Sequence, residues 1–160
     1  MKKLILYSAI LIGLVLSAYN IKIHEDLLAG KTANDLNSAL EGNWELVVNE
    51  INGKKLNPRK NQQFKMFHDG YFSFVMYDES GNFSLAGAGP YEINGNTYIE
   101  THKYSSDPKF IGAKDWQKWE MKGDTLIFYG FEKVILADGI DVTKDMGGLH
   151  FVEKRVRVKK

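Results

Sequence analysis

Cysteine is absent from this chain, and proline occurs only three times among its 160 residues. The absence of cysteine excludes disulfides, thiol catalysis and a lipid-modified cysteine at an export cleavage site. An excess of charge of one sign is also lacking, because 21 lysines and arginines balance 20 aspartates and glutamates. This balance argues against a nucleic-acid-binding surface. The domain must therefore be stabilised by its own core, and a chain of this length is long enough to build one.

A long hydrophobic run is lacking as well. The apolar run Leu4 to Leu16 is shorter than the roughly 20 residues that a membrane-spanning helix requires. It follows two lysines and precedes the small pair Ser17-Ala18, an order that is typical of a secretory signal peptide. We therefore predict a signal peptide over residues 1–18, export to the periplasm or the extracellular space, and no stable membrane span after cleavage. An uncleaved anchor is the alternative.

Residues 62–77 predict a β-hairpin. Apolar and polar side chains alternate on both sides of Asp69-Gly70, a pair that is typical of a type I′ turn. Because side chains on a strand repeat with period two, we expect one strongly apolar face. Two strands alone are marginally stable in water, so more sheet must cover this face. The residues expected on it are Phe64, Met66, Phe72, Phe74 and Met76.

The rest of the chain predicts mostly β-structure. Residues 19–41 predict a linker that ends in a short helix, with Leu36 and Leu40 at helical spacing. Beyond it, turn signals such as Asn94-Gly95 separate about eight or nine short strands at spacings of about 8 to 12 residues. This pattern is typical of an all-β antiparallel sandwich or closed barrel. We predict one such domain over residues 42–158.

Several motifs together resemble the lipocalin (calycin) pattern. Gly42-Asn43-Trp44 follows the predicted helix, antiparallel hairpins come next, and Arg157 lies on the last strand. A narrower set is similar to an uncharacterised lipocalin-like family of exported proteins from Bacteroidetes-type bacteria, and the likeness covers about residues 42–158. One departure is Arg155, which stands where that family would carry an aromatic residue. The narrower set is Lys65–Phe72, Gly87–Tyr91, Tyr98–Glu100 and Glu153–Arg157.

The resemblance implies an up-and-down barrel of eight or nine strands, preceded by the short helix and enclosing a cup for a small molecule. It implies no established reaction. It also implies that Trp44 packs beneath the barrel floor against Arg157, which makes both residues structural candidates. Physical chemistry agrees, since a guanidinium over an indole ring contributes about 0.5 to 2 kcal/mol. A tryptophan that is simply part of the core is equally compatible with the sequence.

One predicted strand carries a row of polar and aromatic side chains, Tyr98, Glu100, His102 and Tyr104. If this row faces the barrel interior, it supplies the few convergent polar groups that orient a ligand in a concave site. If it faces outward, it is a solvated surface. We predict that the cup binds a small hydrophobic or amphipathic, largely apolar molecule without catalysis. The residues expected to line it are Phe72, Phe74, Met76, Tyr91, Tyr98, Glu100 and His102.

Two other functions remain open. Residues two apart on a strand lie about 6.6 to 6.8 Å apart, so Glu100 and His102 could act as an acid/base pair of a cofactor-free isomerase or hydrolase. Alternatively, a barrel packed solid with side chains could act through its outer surface as a protein-interaction module. The four histidines lack the close spacing of a zinc site, so neither a metal nor a cofactor is expected. The sequence does not predict an oligomeric state.

Overall fold

A computed structural model describes residues 33–57, 62–148 and 150–159. The predicted signal peptide and most of the predicted linker lie outside the described residues. The described part of the chain begins with helix α1 (Ala33–Leu40), which agrees with the predicted short helix. Ten strands follow: β1 (Gly42–Ile51), β2 (Lys54–Leu56), β3 (Gln63–His68), β4 (Tyr71–Tyr77), β5 (Phe83–Asn94), β6 (Thr97–Thr101), β7 (Tyr104–Ser105), β8 (Lys114–Lys122), β9 (Thr125–Ile135) and β10 (Phe151–Arg157).

The strands form a closed antiparallel barrel, as predicted. Eight strands pair in the order β1-β3-β4-β5-β6-β8-β9-β10, and β10 pairs with β1 to close the ring. Of the two extra strands, β2 pairs with β1 and β7 pairs with β5. Closure removes the exposed strand edges through which open sheets aggregate. Among the described residues, no helix is long and apolar enough to cross a membrane.

The β3–β4 hairpin has the predicted turn but a different inward face. Asp69 and Gly70 have φ values of 50° and 74°, as a type I′ turn requires. Because this turn has two residues, Phe67 pairs with Phe72 and Lys65 pairs with Phe74, and paired residues share a face. The expectation that Phe64 and Met66 share the face of Phe72 is therefore wrong. Met66 is exposed, and Lys65 is buried inside the barrel.

Strand β5 is twelve residues long and continues through Gly87, Gly89 and Pro90. A β-carbon on Gly89 would lie 1.8 Å from the carbonyl oxygen of Thr101, so only glycine allows this close approach. A β-carbon on Gly87 would lie 2.7 Å from the Phe74 ring and 3.3 Å from Nδ1 of His102. The small residues of β5 therefore leave room for side chains that point inward from neighbouring strands.

Helix α1 is joined to the barrel through Trp44 and Arg157. Nε1 of Trp44 donates a hydrogen bond of 2.7 Å to the carbonyl oxygen of Leu40. The guanidinium of Arg157 lies 4.3 Å from the centre of the Trp44 ring and donates hydrogen bonds to the carbonyl oxygens of Ala39 and Glu41. Carbonyl groups at a helix C-terminus lack partners within the helix, and these two side chains provide them. This is the contact between first and last strand that the sequence pattern suggested.

Candidate functional site

The interior of the barrel contains a buried cluster of charged side chains. Three of its members, Lys65, Glu100 and Asp115, lie on strands β3, β6 and β8, and a further buried charge, Arg155, lies on β10. His102 follows the end of β6, and its side chain is 13% exposed. Each strand directs alternate side chains inward, so distant segments contribute to one cluster. Charged groups are rarely buried unless they are paired, which makes this cluster the most unusual chemical feature of the described residues.

Lys65 and Glu100 form an ion pair in the middle of the barrel, with side-chain exposures of 8% and 3%. The ammonium group also lies 5.1 to 5.7 Å from the centres of four aromatic rings, close enough for cation–π attraction. Together these side chains fill the cross-section of the barrel around Lys65, which we call the filled level. The four rings belong to Phe67, Phe72, Tyr98 and Phe128.

His102 connects this ion pair to a second carboxylate. Its Nε2 lies 2.9 Å from Oδ2 of Asp115 and 3.7 Å from Oε2 of Glu100. Burial works against protonation of His102, but the hydrogen bond to Asp115 and the charges of Glu100 and Asp115 outweigh it and raise the pKa of His102. The other oxygen of Asp115, Oδ1, accepts a hydrogen bond of 2.7 Å from Nε2 of Gln117.

Arg155 forms a second polar group in the interior. Its Nη2 donates hydrogen bonds of 2.9 Å to Oε1 of Gln63 and 2.6 Å to Oε2 of Glu153. Its Nε and Nη1 are buried and have no hydrogen-bond partner among the described residues. Three other polar atoms are also buried without a hydrogen-bond partner among the described residues: the hydroxyl oxygens of Tyr91 and Tyr98, and Nδ1 of His102. Such groups are uncommon in native interiors, where water, an ion or a ligand usually provides the missing partner.

The predicted lining residues fall into two sets. Tyr98, Glu100 and Phe72 belong to the filled level around Lys65, and Tyr91 packs beside them with its ring 5.5 Å from that of Tyr98. Phe74 and Met76 are only half-buried, and the Phe74 ring centre lies 6.0 Å from that of His102. Tyr104, the fourth member of the predicted polar row, is 62% exposed because the regular strand ends at Thr101.

Sequence reasoning missed Lys65, Asp115, Gln117, Arg155 and Gln63, all of which are buried. The register of the β3–β4 turn would have revealed Lys65, since a two-residue turn fixes which residues share a face. Asp115 and Gln117 alternate with Lys114, Trp116 and Lys118, so polar and aromatic side chains occur together on this strand and do not show which face is inside. Only pairing of β6 with β8 brings Asp115 opposite Glu100.

A groove of about 390 Å³ lies on the outside of the barrel, on β3, β4 and β5. Met66, Tyr71, Ser73 and Tyr104 are among its lining residues. The groove shares Phe72 with the surroundings of Lys65, but its exposed side chains offer a second surface against which an apolar molecule can pack. Any binding experiment has to distinguish the two locations.

Neither a scan of protein-family models nor a search of curated proteins found a match. The class that the geometry defines is a closed all-β barrel with a charged interior.

Proposed function

We propose that this protein is an exported, non-catalytic, lipocalin-like carrier whose barrel binds a small amphipathic molecule. The ligand's polar end is hydrogen-bonded by the buried groups around His102 and Arg155. Its larger, apolar part packs against the half-buried aromatic side chains near His102, which include Phe74 and Phe110. The export part of the proposal rests on residues 1–18, which lie outside the described residues.

One observation carries the proposal. Arg155 keeps two of its nitrogens, Nε and Nη1, buried without a partner among the described residues, although its side chain is only 4% exposed. Leaving a buried donor unpaired costs about 1 to 3 kcal/mol, and more for a charged group. A barrel that needed only a solid core would avoid this cost with apolar side chains. A ligand oxygen that accepts from these nitrogens would account for their presence.

The ligand is expected to lie beyond the filled level of Lys65. Lys65 and its four aromatic neighbours occupy the middle of the barrel, whereas Phe74, which pairs with Lys65, and Met76, two residues further along β4, are only half-buried. A β-carbon on Gly87 of β5 would collide with the Phe74 ring, so this glycine lets the side chains of Phe74 and His102 approach the strand. This arrangement supports a site with polar groups at its base and aromatic groups around it.

The test is binding of a fluorescent amphipathic probe, dansylaminoundecanoic acid, to the full-length protein. We expect saturable binding that weakens when Arg155→Met removes the polar contacts and when Phe74→Ala removes apolar contact. The matched control is Tyr71→Ser in the outer groove, which should bind the probe as the unchanged protein does. Binding that is lost with Tyr71→Ser and retained in both interior variants would assign the ligand to the outer groove and contradict the proposal.

A second candidate is proton transfer by His102, and the 2.9 Å contact between His102 and Asp115 favours it. A carboxylate that holds an imidazole in one orientation is a common arrangement of a general base. This candidate predicts turnover in a panel of activated esters and of ketones with acidic α-protons. His102→Gln should abolish that turnover, whereas the exposed His68→Gln should not change it. Equal activity of the two variants would exclude it.

A further inference from the structure

We propose that Glu100, His102 and Asp115 bind a divalent first-row transition-metal ion of the zinc class inside the barrel. The proposal goes beyond the carrier function and requires no molecule in the cup, but it uses His102, which the carrier proposal places beside the polar end of the ligand. Three atoms carry it: Oε2 of Glu100, Nε2 of His102 and Oδ2 of Asp115. One ligand atom from each residue lies within 4.8 Å of the others.

The chemistry of these donors suits such an ion. Imidazole nitrogen and carboxylate oxygen are both zinc ligands, and three protein ligands with one open position are typical of zinc sites that bind a further molecule. The distances between donor atoms, 2.9 Å from His102 to Asp115 and 3.7 Å from His102 to Glu100, bring them to one point in the interior. Glu100 and Asp115 lie opposite each other on the paired strands β6 and β8, and His102 follows the end of β6.

The surroundings hold each carboxylate in position. Oε1 of Glu100 accepts from the ammonium of Lys65, and Oδ1 of Asp115 accepts from Gln117 at 2.7 Å. Each carboxylate is therefore fixed through one oxygen and directs the other toward His102. Outer hydrogen bonds of this kind orient metal ligands and are a regular part of metal sites.

A further observation points to a missing partner at this place. The hydroxyl of Tyr98 is fully buried and has no hydrogen-bond partner among the described residues. The hydroxyl lies close to the Glu100 carboxylate, one of the proposed ligands, but makes no hydrogen bond of standard geometry with it. A metal-bound water or ligand would supply the partner that this hydroxyl lacks.

The charges of the cluster differ between its two states. The two carboxylates offset the charge of a divalent ion, and Lys65 then leaves the metal-bound cluster with one net positive charge. Without a metal, Lys65 and a proton on His102, which donates to Asp115, together offset the two carboxylates. Metal and proton therefore compete for Nε2 of His102, and only a measurement with metal separates the two states.

The test is equilibrium dialysis of the full-length protein against Zn²⁺. We expect one tightly bound Zn²⁺ per chain, with affinity lowered by about 10- to 100-fold in Gln117→Leu and by more in Glu100→Gln or His102→Gln. The matched control is His68→Gln, because His68 and Glu41 lie 3.2 Å apart on the surface and could bind zinc adventitiously. Folding of each variant is checked by circular dichroism.

A second measurement keeps the proposal testable if the buried variants do not fold. In the unchanged protein with ¹⁵N-labelled histidine, addition of Zn²⁺ should shift the Nε2 signal of His102. The proposal is overturned if the protein binds no Zn²⁺, if zinc shifts His68 and leaves His102 unchanged, or if folded Glu100→Gln and His102→Gln variants retain the affinity.

Discussion

At the scale of single residues, the unusual feature is a lysine in the centre of a β-barrel. Its position follows from the turn at Asp69-Gly70, whose two residues pair Phe67 with Phe72 and thereby turn Lys65 inward. This much could be derived from the sequence. Its ion-pair partner, Glu100, could not be derived from the sequence, because β3 and β6 are brought together only by closure of the barrel. The sequence alone therefore suggested Glu100 as a site residue without its counter-ion.

Replacement of Lys65 should reveal how strongly the buried pair depends on both partners. Lys65→Met leaves the Glu100 carboxylate buried without its main partner, which should lower the free energy of unfolding by about 3 to 5 kcal/mol. The double variant Lys65→Met/Glu100→Gln should lose less, because no unpaired charge remains. Urea denaturation measures both changes.

The surface pair Lys122–Glu120 provides the control. Nζ of Lys122 lies 2.6 Å from Oε1 of Glu120, but the lysine is 66% exposed. Exposed pairs are screened by water, so Lys122→Met should cost less than about 1 kcal/mol. A loss for Lys65→Met as small as this would mean that the interior pair is hydrated, contrary to its burial.

At the scale of elements, α1 and the two terminal strands of the barrel act as one unit. Gly42 begins β1 with a φ of 122°, and a β-carbon there would lie 2.6 Å from Nη1 of Arg157. Because Gly42 has no side chain, the guanidinium of Arg157 can pass it and donate to the carbonyl oxygens at the end of the helix. The pattern of glycine, tryptophan and late arginine allowed this contact to be anticipated. The pairing register of Trp44 with Arg157 explains why it forms.

Arg157→Lys should show that a positive charge alone does not replace this contact. Lysine lacks the planar fork that donates to two carbonyls while it covers an indole ring. We expect a loss of about 1 to 2 kcal/mol in the free energy of unfolding and a change in Trp44 fluorescence. The neighbouring exposed Lys154→Ala should change neither. Unchanged stability in Arg157→Lys would show that the helix is held by other contacts.

At the scale of the whole molecule, the sequence predicted the class of fold and the number of strands to within about one or two. It did not predict that β9 continues to Ile135, because bulges in the β8–β9 pairing change which residues face inward. Nor did it predict the filled level around Lys65. Alternating residues identify a strand and its two faces. Which side chains meet inside a closed barrel depends on the register of all eight strands.

The buried tyrosines should make the whole barrel sensitive to high pH. Burial, followed by the charge of Glu41, raises the pKa of Tyr91 to about 12 from its model-compound value of 10.0. The folded state thus holds this proton more tightly than the unfolded state does. Its contribution to stability is complete below about pH 10 and is lost as the pH rises toward about 12.

Urea denaturation between about pH 9 and about pH 11 measures this loss. Tyr91→Phe should reduce the decline, while Tyr98 and Tyr129, whose pKa values are also raised by burial, continue to contribute to it. Tyr71→Phe on the exposed groove is the control and should behave as the unchanged protein. A decline of the same size in Tyr91→Phe would contradict the assignment to this residue.

Native mass spectrometry of the full-length protein, purified without added ligand, tests the carrier function most directly. The proposal predicts a bound small molecule that contains a polar, oxygen-bearing end and an apolar remainder, and that is released on denaturation. The same preparation of Arg155→Met should carry less of it, and Tyr71→Ser should carry as much. A folded protein that copurifies with no small molecule and binds no amphipathic probe would contradict the proposal.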